Sequence, residues 1–268
     1  MQIGVTLRNM GDESTADTMS ECARAVEALG FESLWITDHV AIPPDDAEGS
    51  GGRYVDPLIT LAWMSSLTSR VRLGVGVMVL PYRAPLPFAK QVAALQELSR
   101  GRLLLGVGVG WMTPEFAALG VDRRARGRLT DDVLAFLHGC FESDVMHANG
   151  QAFFFKPRPP RPPILVGGAA PHALRRAARY GDAWLPMAGK PDDVRAAIGE
   201  YRALTDSLGR PPGGVTVMSR VDLADERHGR AQLDEWRALG VERIVCGMRY
   251  RDAAEYRRRL EALARIAR

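Results

Sequence analysis

The chain has 268 residues, 46% hydrophobic and 25% charged, which is the make-up of an ordinary folded protein with room for one large α/β unit. Its 35 basic and 32 acidic residues leave a net charge of +3, too balanced for a nucleic-acid or membrane-surface binder, so neither partner is expected. No apolar run approaches the roughly 18 residues of a membrane helix, the start "MQIGVTLRNMGDE" lacks a signal-peptide pattern, and Cys22, Cys140 and Cys246 are scattered. A reduced, cytoplasmic setting is the expectation.

Short β-like runs alternate with longer helical runs along the whole chain. The first strand is "QIGVTL" (2–7), and the first helix covers 14–29, with Met19, Cys22, Val26 and Leu29 at helical spacing and Gly30 placed to end it. Strand two spans 33–39 and helix two 56–69. Strand three lies in "RVRLGVGVMVLPYRAP" (70–85) and carries Gly74 and Gly76 at its centre, where glycine normally weakens a strand. Helix three covers 84–100 and strand four 102–110, and a helical region follows at 113–142.

The stretch 143–163 breaks the rhythm. An Asn-Gly pair between apolar runs predicts a hairpin. Strand five (164–169), helix five (171–181), strand six (182–187) and helix six (191–209) then resume the alternation. Strand seven (214–223), helix seven (230–240), strand eight (241–248) and a last helix (252–268) complete it. The first and last units echo each other in "ALGFESLWITD" (28–38) and "ALGVERIVCGM" (238–248). Eight units without a linker predict an α/β fold, a (β/α)8 TIM barrel with a short hairpin insertion between units four and five, as one domain over 1–268. A doubly wound open sheet is the alternative, but no G-x-G-x-x-G run with an acidic residue about 20 positions on supports it.

A barrel of this kind carries its site where the strands end. After strand two stand Asp38 and His39. An imidazole beside a carboxylate serves as a general acid or base, and the carboxylate raises its proton affinity; the alternative is a hydrogen-bonded pair that only starts the loop. After strand four come Gly108, Gly110 and Trp111, which either let a ligand approach the backbone and offer it a flat face or form a tight turn with a core Trp. After strand five come Gly167 and Gly168 before a helix start, either a phosphate-binding turn or a plain one. No metal-ligand spacing, nucleophile elbow or well-placed Schiff-base lysine is present, so no metal is expected and an organic cofactor is left to carry the hard chemistry.

The segments "LWITDHV" (34–40), 69–111 and "PPILVGGAAPHALRRAARYGDAWLPM" (162–187) resemble the bacterial luciferase-like monooxygenase family, and most closely its branch of oxidoreductases dependent on the deazaflavin F420. The resemblance runs from Gln2 to strand eight. It implies a barrel holding a flavin or deazaflavin at its mouth, with His39 as the active-site histidine and Asp38 as the acidic residue before it. It also implies a non-proline cis peptide at Gly76–Val77 behind the ring, cofactor-lining residues at Gly108, Gly110 and Trp111, and backbone phosphate donors at Gly167 and Gly168. Many relatives are dimeric, although nothing in the sequence marks an interface. The loop 40–55 is expected to be mobile and to face the substrate.

Three readings follow. The first is an F420-dependent oxidoreductase moving a hydride between the deazaflavin and a small-molecule substrate, with His39 moving the proton and Arg83 or Arg53 meeting the coenzyme's anionic tail. The second is an FMN-dependent monooxygenase using reduced flavin and O2. The third is a non-catalytic flavin-binding protein, against which the Asp38–His39 pair counts.

Overall fold

The computed structural model describes residues 1–268. Eight parallel strands close into a barrel: β1 (Gln2–Thr6), β2 (Ser33–Ile36), β3 (Arg72–Val79), β4 (Leu103–Gly108), β7 (Ile164–Gly167), β8 (Ala183–Leu185), β9 (Gly214–Ser219) and β10 (Arg243–Cys246). Around them run α1 (Ala16–Ala28), α2 (Pro57–Leu67), α3 (Pro85–Leu98), α4 (Thr113–Ala118), α5 (Arg126–Glu142), α6 (His172–Tyr180), α7 (Arg195–Ser207), α8 (Glu226–Ala238) and α9 (Ala253–Ala267). β1 pairs with both β2 and β10, so the sheet has no free edge. The fold is a TIM barrel, and no helix is long and apolar enough to cross a membrane.

Local signals place most element ends. Thr15 caps α1 through its hydroxyl, and Gly30, at φ 78°, takes the left-handed conformation that ends it. Gly240, at φ 76°, does the same after α8, so the echo between 28–38 and 238–248 is one helix–turn–strand geometry used twice. The predicted insertion is a hairpin of β5 (Val145–Ala148) and β6 (Gln151–Phe154). Asn149 and Gly150 both have positive φ, as a tight two-residue hairpin turn requires. The helical region expected at 113–142 holds two helices, because Gly120, at φ 66°, turns the chain between α4 and α5.

Successive residues of each strand face the helices and the barrel interior in turn. The layer between strands and helices forms the large core, whereas Trp35, Leu104, Leu165, Ala183, Leu185 and Val245 fill the lumen, with Val77 and Met218 above them. The two puzzling glycines of β3 belong to this filling. A Cβ on Gly74 would lie 2.3 Å from the Trp35 ring, and one on Gly76 would lie 2.9 Å from the Met218 sulfur. At the other end of the barrel, Arg243 closes the floor: its guanidinium bonds both oxygens of Glu32 at 2.8 Å and also Gln2 and Thr216.

A methyl group at position 74 has no space unless the indole moves, and overpacking of this kind costs about 1–3 kcal/mol. Gly74→Ala is therefore expected to lower stability by that amount in urea unfolding. A wild-type midpoint would contradict the packing account.

Candidate active site

β3 and β4 stay in register up to the Val75–Leu105 pair and resume at Met78–Val107, so three steps along β3 match two along β4. The extra residue makes a bulge at Gly76 and Val77, and the peptide bond between them is cis. Val77 stands at the top of the lumen filling. Its two methyl carbons occupy the space where side chains on the neighbouring strands would project: a Cβ on Gly108 would fall 2.6 Å from one, and a Cβ on Gly167 2.7 Å from the other. Gly76, Gly108 and Gly167 are thus glycines because Val77 and Met218 need the room. Gly168 differs, since it is exposed, has φ 118° and leads into the exposed residues 169–172 at the start of α6.

The structure separates Asp38 from His39. The carboxylate bonded to His39 is not its chain neighbour but Glu115, from the first turn of α4, whose Oε2 lies 3.0 Å from the imidazole Nδ1. Glu115 has no exposed side-chain surface. Its Oε1 accepts from the backbone amides of Val40 and Ala41 at 2.5 and 3.0 Å, and its Oε2 also accepts from the Tyr82 hydroxyl at 3.0 Å. Burial pushes this carboxyl up, but the Val40 and Ala41 amides, with His39 and Tyr82, outweigh it and hold the group below its ordinary range. Burial and then the bond to Glu115 push the Tyr82 phenol up. An ionised Glu115 accepts from Nδ1–H, which fixes the tautomer and leaves Nε2 as the nitrogen that can take or give a proton.

Aromatic rings border the imidazole. Tyr54 lies 5.0 Å from it, ring centre to ring centre, and Trp111 lies 6.2 Å away edge-on. Trp111 is 64% exposed and not a core residue, and Met187, after β8, is 84% exposed on the same rim. Asp38 faces the other way, onto Arg83 and the Val79 amide. Arg83 therefore has Asp38 at 2.5 Å and Asp56 at 3.3 Å as counter-ions, and it is not the free cation expected from the sequence. Arg53 is likewise engaged, donating to the hydroxyl and carbonyl oxygens of Ser14 at 2.9 and 3.0 Å.

The loop 40–55, expected to be mobile, is tied down in its second half. Met10 and Tyr54 form an antiparallel bridge, and the Val55 amide donates to the Asn9 carbonyl at 2.9 Å. Asn9 is buried, and its amide nitrogen reaches the Thr37 and Val55 carbonyls at 2.8 Å each, joining the ends of β1 and β2 to this loop.

Glu115 and Tyr82 were not singled out from the sequence. A weak signal exists for the first: in "WMTPEF" an acidic residue follows the Thr-Pro that opens a helix directly after strand four, on the same rim as His39. Its burial and its partner 76 positions away carry no local mark.

The chain matches the luciferase-like monooxygenase family model over residues 1–268. It belongs to that family. The F420-dependent hydroxymycolic acid dehydrogenase of Mycobacterium tuberculosis is 29% identical over 250 residues, covering 88% of this chain and 66% of that one. Among solved structures, an F420-dependent secondary alcohol dehydrogenase in complex with an F420–acetone adduct superposes with a TM-score of 0.84 at 15% identity, over 99% of this chain and 97% of that one. The oxygenating constituent of 3,6-diketocamphane monooxygenase from Pseudomonas putida, in complex with FMN, gives 0.68 at 16% identity, over 90% and 77%. These two structures share the luciferase-like barrel, and the protein is an oxidoreductase of this family.

A carboxyl held low in the folded state adds stability above its unfolded value, near 4.5, and that stability is lost as the pH falls through the folded value. Glu115→Gln removes a buried charged acceptor, so it is expected to cost about 1–3 kcal/mol at pH 7. The difference between variant and wild type should shrink as the solution is acidified below 4.5. A pH-independent difference in urea unfolding would contradict an ionised Glu115.

Proposed function

We propose that this protein is an F420-dependent oxidoreductase that moves a hydride between the deazaflavin and a small organic substrate. The observation that carries the reading is the His39–Glu115 bond at the barrel mouth, a proton-handling imidazole of fixed tautomer bordered by Tyr54 and Trp111. When bound, the deazaflavin supplies a two-electron hydride donor and acceptor. The chain's own residues supply the rest.

The residues present fit such a group. Val77 and Met218 make the floor on which a flat ring would lie, with Gly108 and Gly167 leaving Val77 the space to do so. Three of the four buried side-chain atoms without a partner are Arg8 Nε, Arg83 Nε and Ser219 Oγ, which all lie at or just beyond strand C-termini on this rim. Orphaned polar atoms gathered at one mouth suit a polar ligand there. Gly168 and the amides opening α6 would hold the phosphate, and Trp111 would border the ring. His39 Nε2 would hold or release the substrate proton, while Glu115 steadies the ring and the charge it gains.

The second reading, an FMN-dependent monooxygenase, rests on the shared barrel and the FMN-binding relative. The openness of the rim at Trp111 and Met187 favours the first, because oxygen chemistry on a reduced flavin calls for a pocket closed to water.

Separate titrations of the purified protein with F420 and with FMN, followed by ligand fluorescence, decide between them. Saturable F420 binding is expected. Tight FMN binding without an F420 response would overturn the proposal. In His39→Ala the single-turnover hydride-transfer rate should fall by about 10²–10⁴, with the cofactor dissociation constant within a few-fold of wild type. An unchanged rate would remove His39 from the chemistry.

A further inference from the structure

Asp38 stands next to His39 in the chain, yet its carboxylate makes no bond to the imidazole. The side chain is wholly buried. Oδ2 accepts from the Val79 amide at 2.9 Å, and Oδ1 accepts from Arg83 Nη2 at 2.5 Å. The other arm of the guanidinium, Nη1, reaches Asp56 Oδ2 at 3.3 Å. Asp56 caps α2, its Oδ1 accepting from the Ile59 amide at 3.1 Å, and it directly follows the loop 40–55. The Asp38 carboxylate and this guanidinium together therefore join three places: the end of β2, the Val79 amide just past the β3 bulge, and the foot of the loop beside His39.

The bulge needs an anchor. Between Val75 and Met78 the pairing of β3 with β4 slips, so the regular ladder does not set where Gly76 and Val77 lie. Downstream, Met78 and Val79 pair again with Val107 and Gly108 on β4, whereas on the β2 side the pairing ends at Ile36–Val75 and the Asp38 bond to the Val79 amide holds the strand in its place. Val77 has little freedom of its own, with Gly108 and Gly167 closely below its methyl groups. A small displacement at Val79 is therefore passed directly to the shelf.

We propose that Asp38 and Arg83 are positioning residues, whose ion pair sets the Val77 shelf beneath the cofactor ring and, through Asp56, couples that shelf to the loop 40–55. Asp38 then acts on cofactor affinity and not on proton transfer, and an occupied cofactor seat holds the loop in place. The shelf's role rests on the cofactor reading above; the mechanical coupling does not.

Hydrogen–deuterium exchange read by mass spectrometry tests the coupling, with dissociation constants for F420 and FMN measured alongside on the full chain. In Asp38→Asn, exchange over 76–83 and over 40–55 should both speed up about tenfold or more in the ligand-free protein. Cofactor binding should weaken about tenfold, while hydride transfer at saturating cofactor falls far less than in His39→Ala. Asp56→Asn keeps a capping side chain and cuts only the loop arm. It should leave 76–83 protected and the dissociation constant within about twofold, yet abolish the slowing of exchange over 40–55 that cofactor binding produces in wild type.

Wild-type exchange over 76–83 in Asp38→Asn would overturn the proposal. So would a saturated rate as low as that of His39→Ala, which would make Asp38 part of the chemistry. If Asp38→Asn does not fold, Arg83→Lys replaces it. Lysine keeps the charge but cannot bridge two carboxylates as a planar fork does, so wild-type exchange in both segments of that variant would equally refute the role. If neither F420 nor FMN binds the wild-type protein, the functional reading fails, and the ligand-free exchange still decides the coupling.

Discussion

Closing eight short parallel strands leaves a lumen that must be filled to interior density, and one indole sets how this barrel does it. Trp35 is wholly buried, donates its Nε1–H to Ser33 Oγ at 2.8 Å, and takes space that side chains on two neighbouring strands would claim. A Cβ on Gly4 would lie 2.8 Å from its Nε1, and one on Gly74 would lie 2.3 Å from its ring. The filling rises from the Arg243–Glu32 floor through Trp35 and the leucines to Val77 and Met218. Each layer fixes the height of the next, and the site stands on the last of them.

The chemistry at the top depends on two carboxylates that the fold has given different tasks. Glu115 accepts two amides, an imidazole and a phenol, which is enough to keep a buried carboxyl ionised and a histidine tautomer fixed. Asp38 is also buried, and burial pushes its carboxyl up against the pull of Arg83 and the Val79 amide. Both of its oxygens are nevertheless taken, one by the Val79 amide and one by the Arg83 guanidinium, and that geometry suits a positioning contact more than proton exchange with a substrate. Arg83 consequently has both its terminal nitrogens engaged by carboxylates, and the positive charge at this edge of the mouth is balanced within the protein.

Much of the barrel was legible because its signals are local. Hydrophobic periodicity located the helices, Gly30 the end of the first, and Asn149–Gly150 the hairpin turn, since each depends only on residues within a few positions. The helical region over 113–142 is likewise local in its pattern, and Gly120 divides it into α4 and α5. Family resemblance added the cis Gly76–Val77 bond, which no spacing argument would have supplied.

By itself the sequence determined the order of strands and helices, the eightfold count that requires closure, and the rim on which His39 must lie. The tertiary structure alone decided which groups meet there. It brought Glu115 to His39 across 76 positions and Arg83 to Asp38 across 45, and it turned the carboxylate adjacent to His39 away from it. Neighbours along an extended chain point to opposite sides, so adjacency in sequence argues against contact between side chains just beyond a strand. Gly108, read as an opening for a ligand, and Gly167, read as part of a phosphate-binding turn, both leave room for Val77. A missing side chain leaves the same mark in a sequence whether its space is taken by a cofactor or by another residue, and only packing tells them apart.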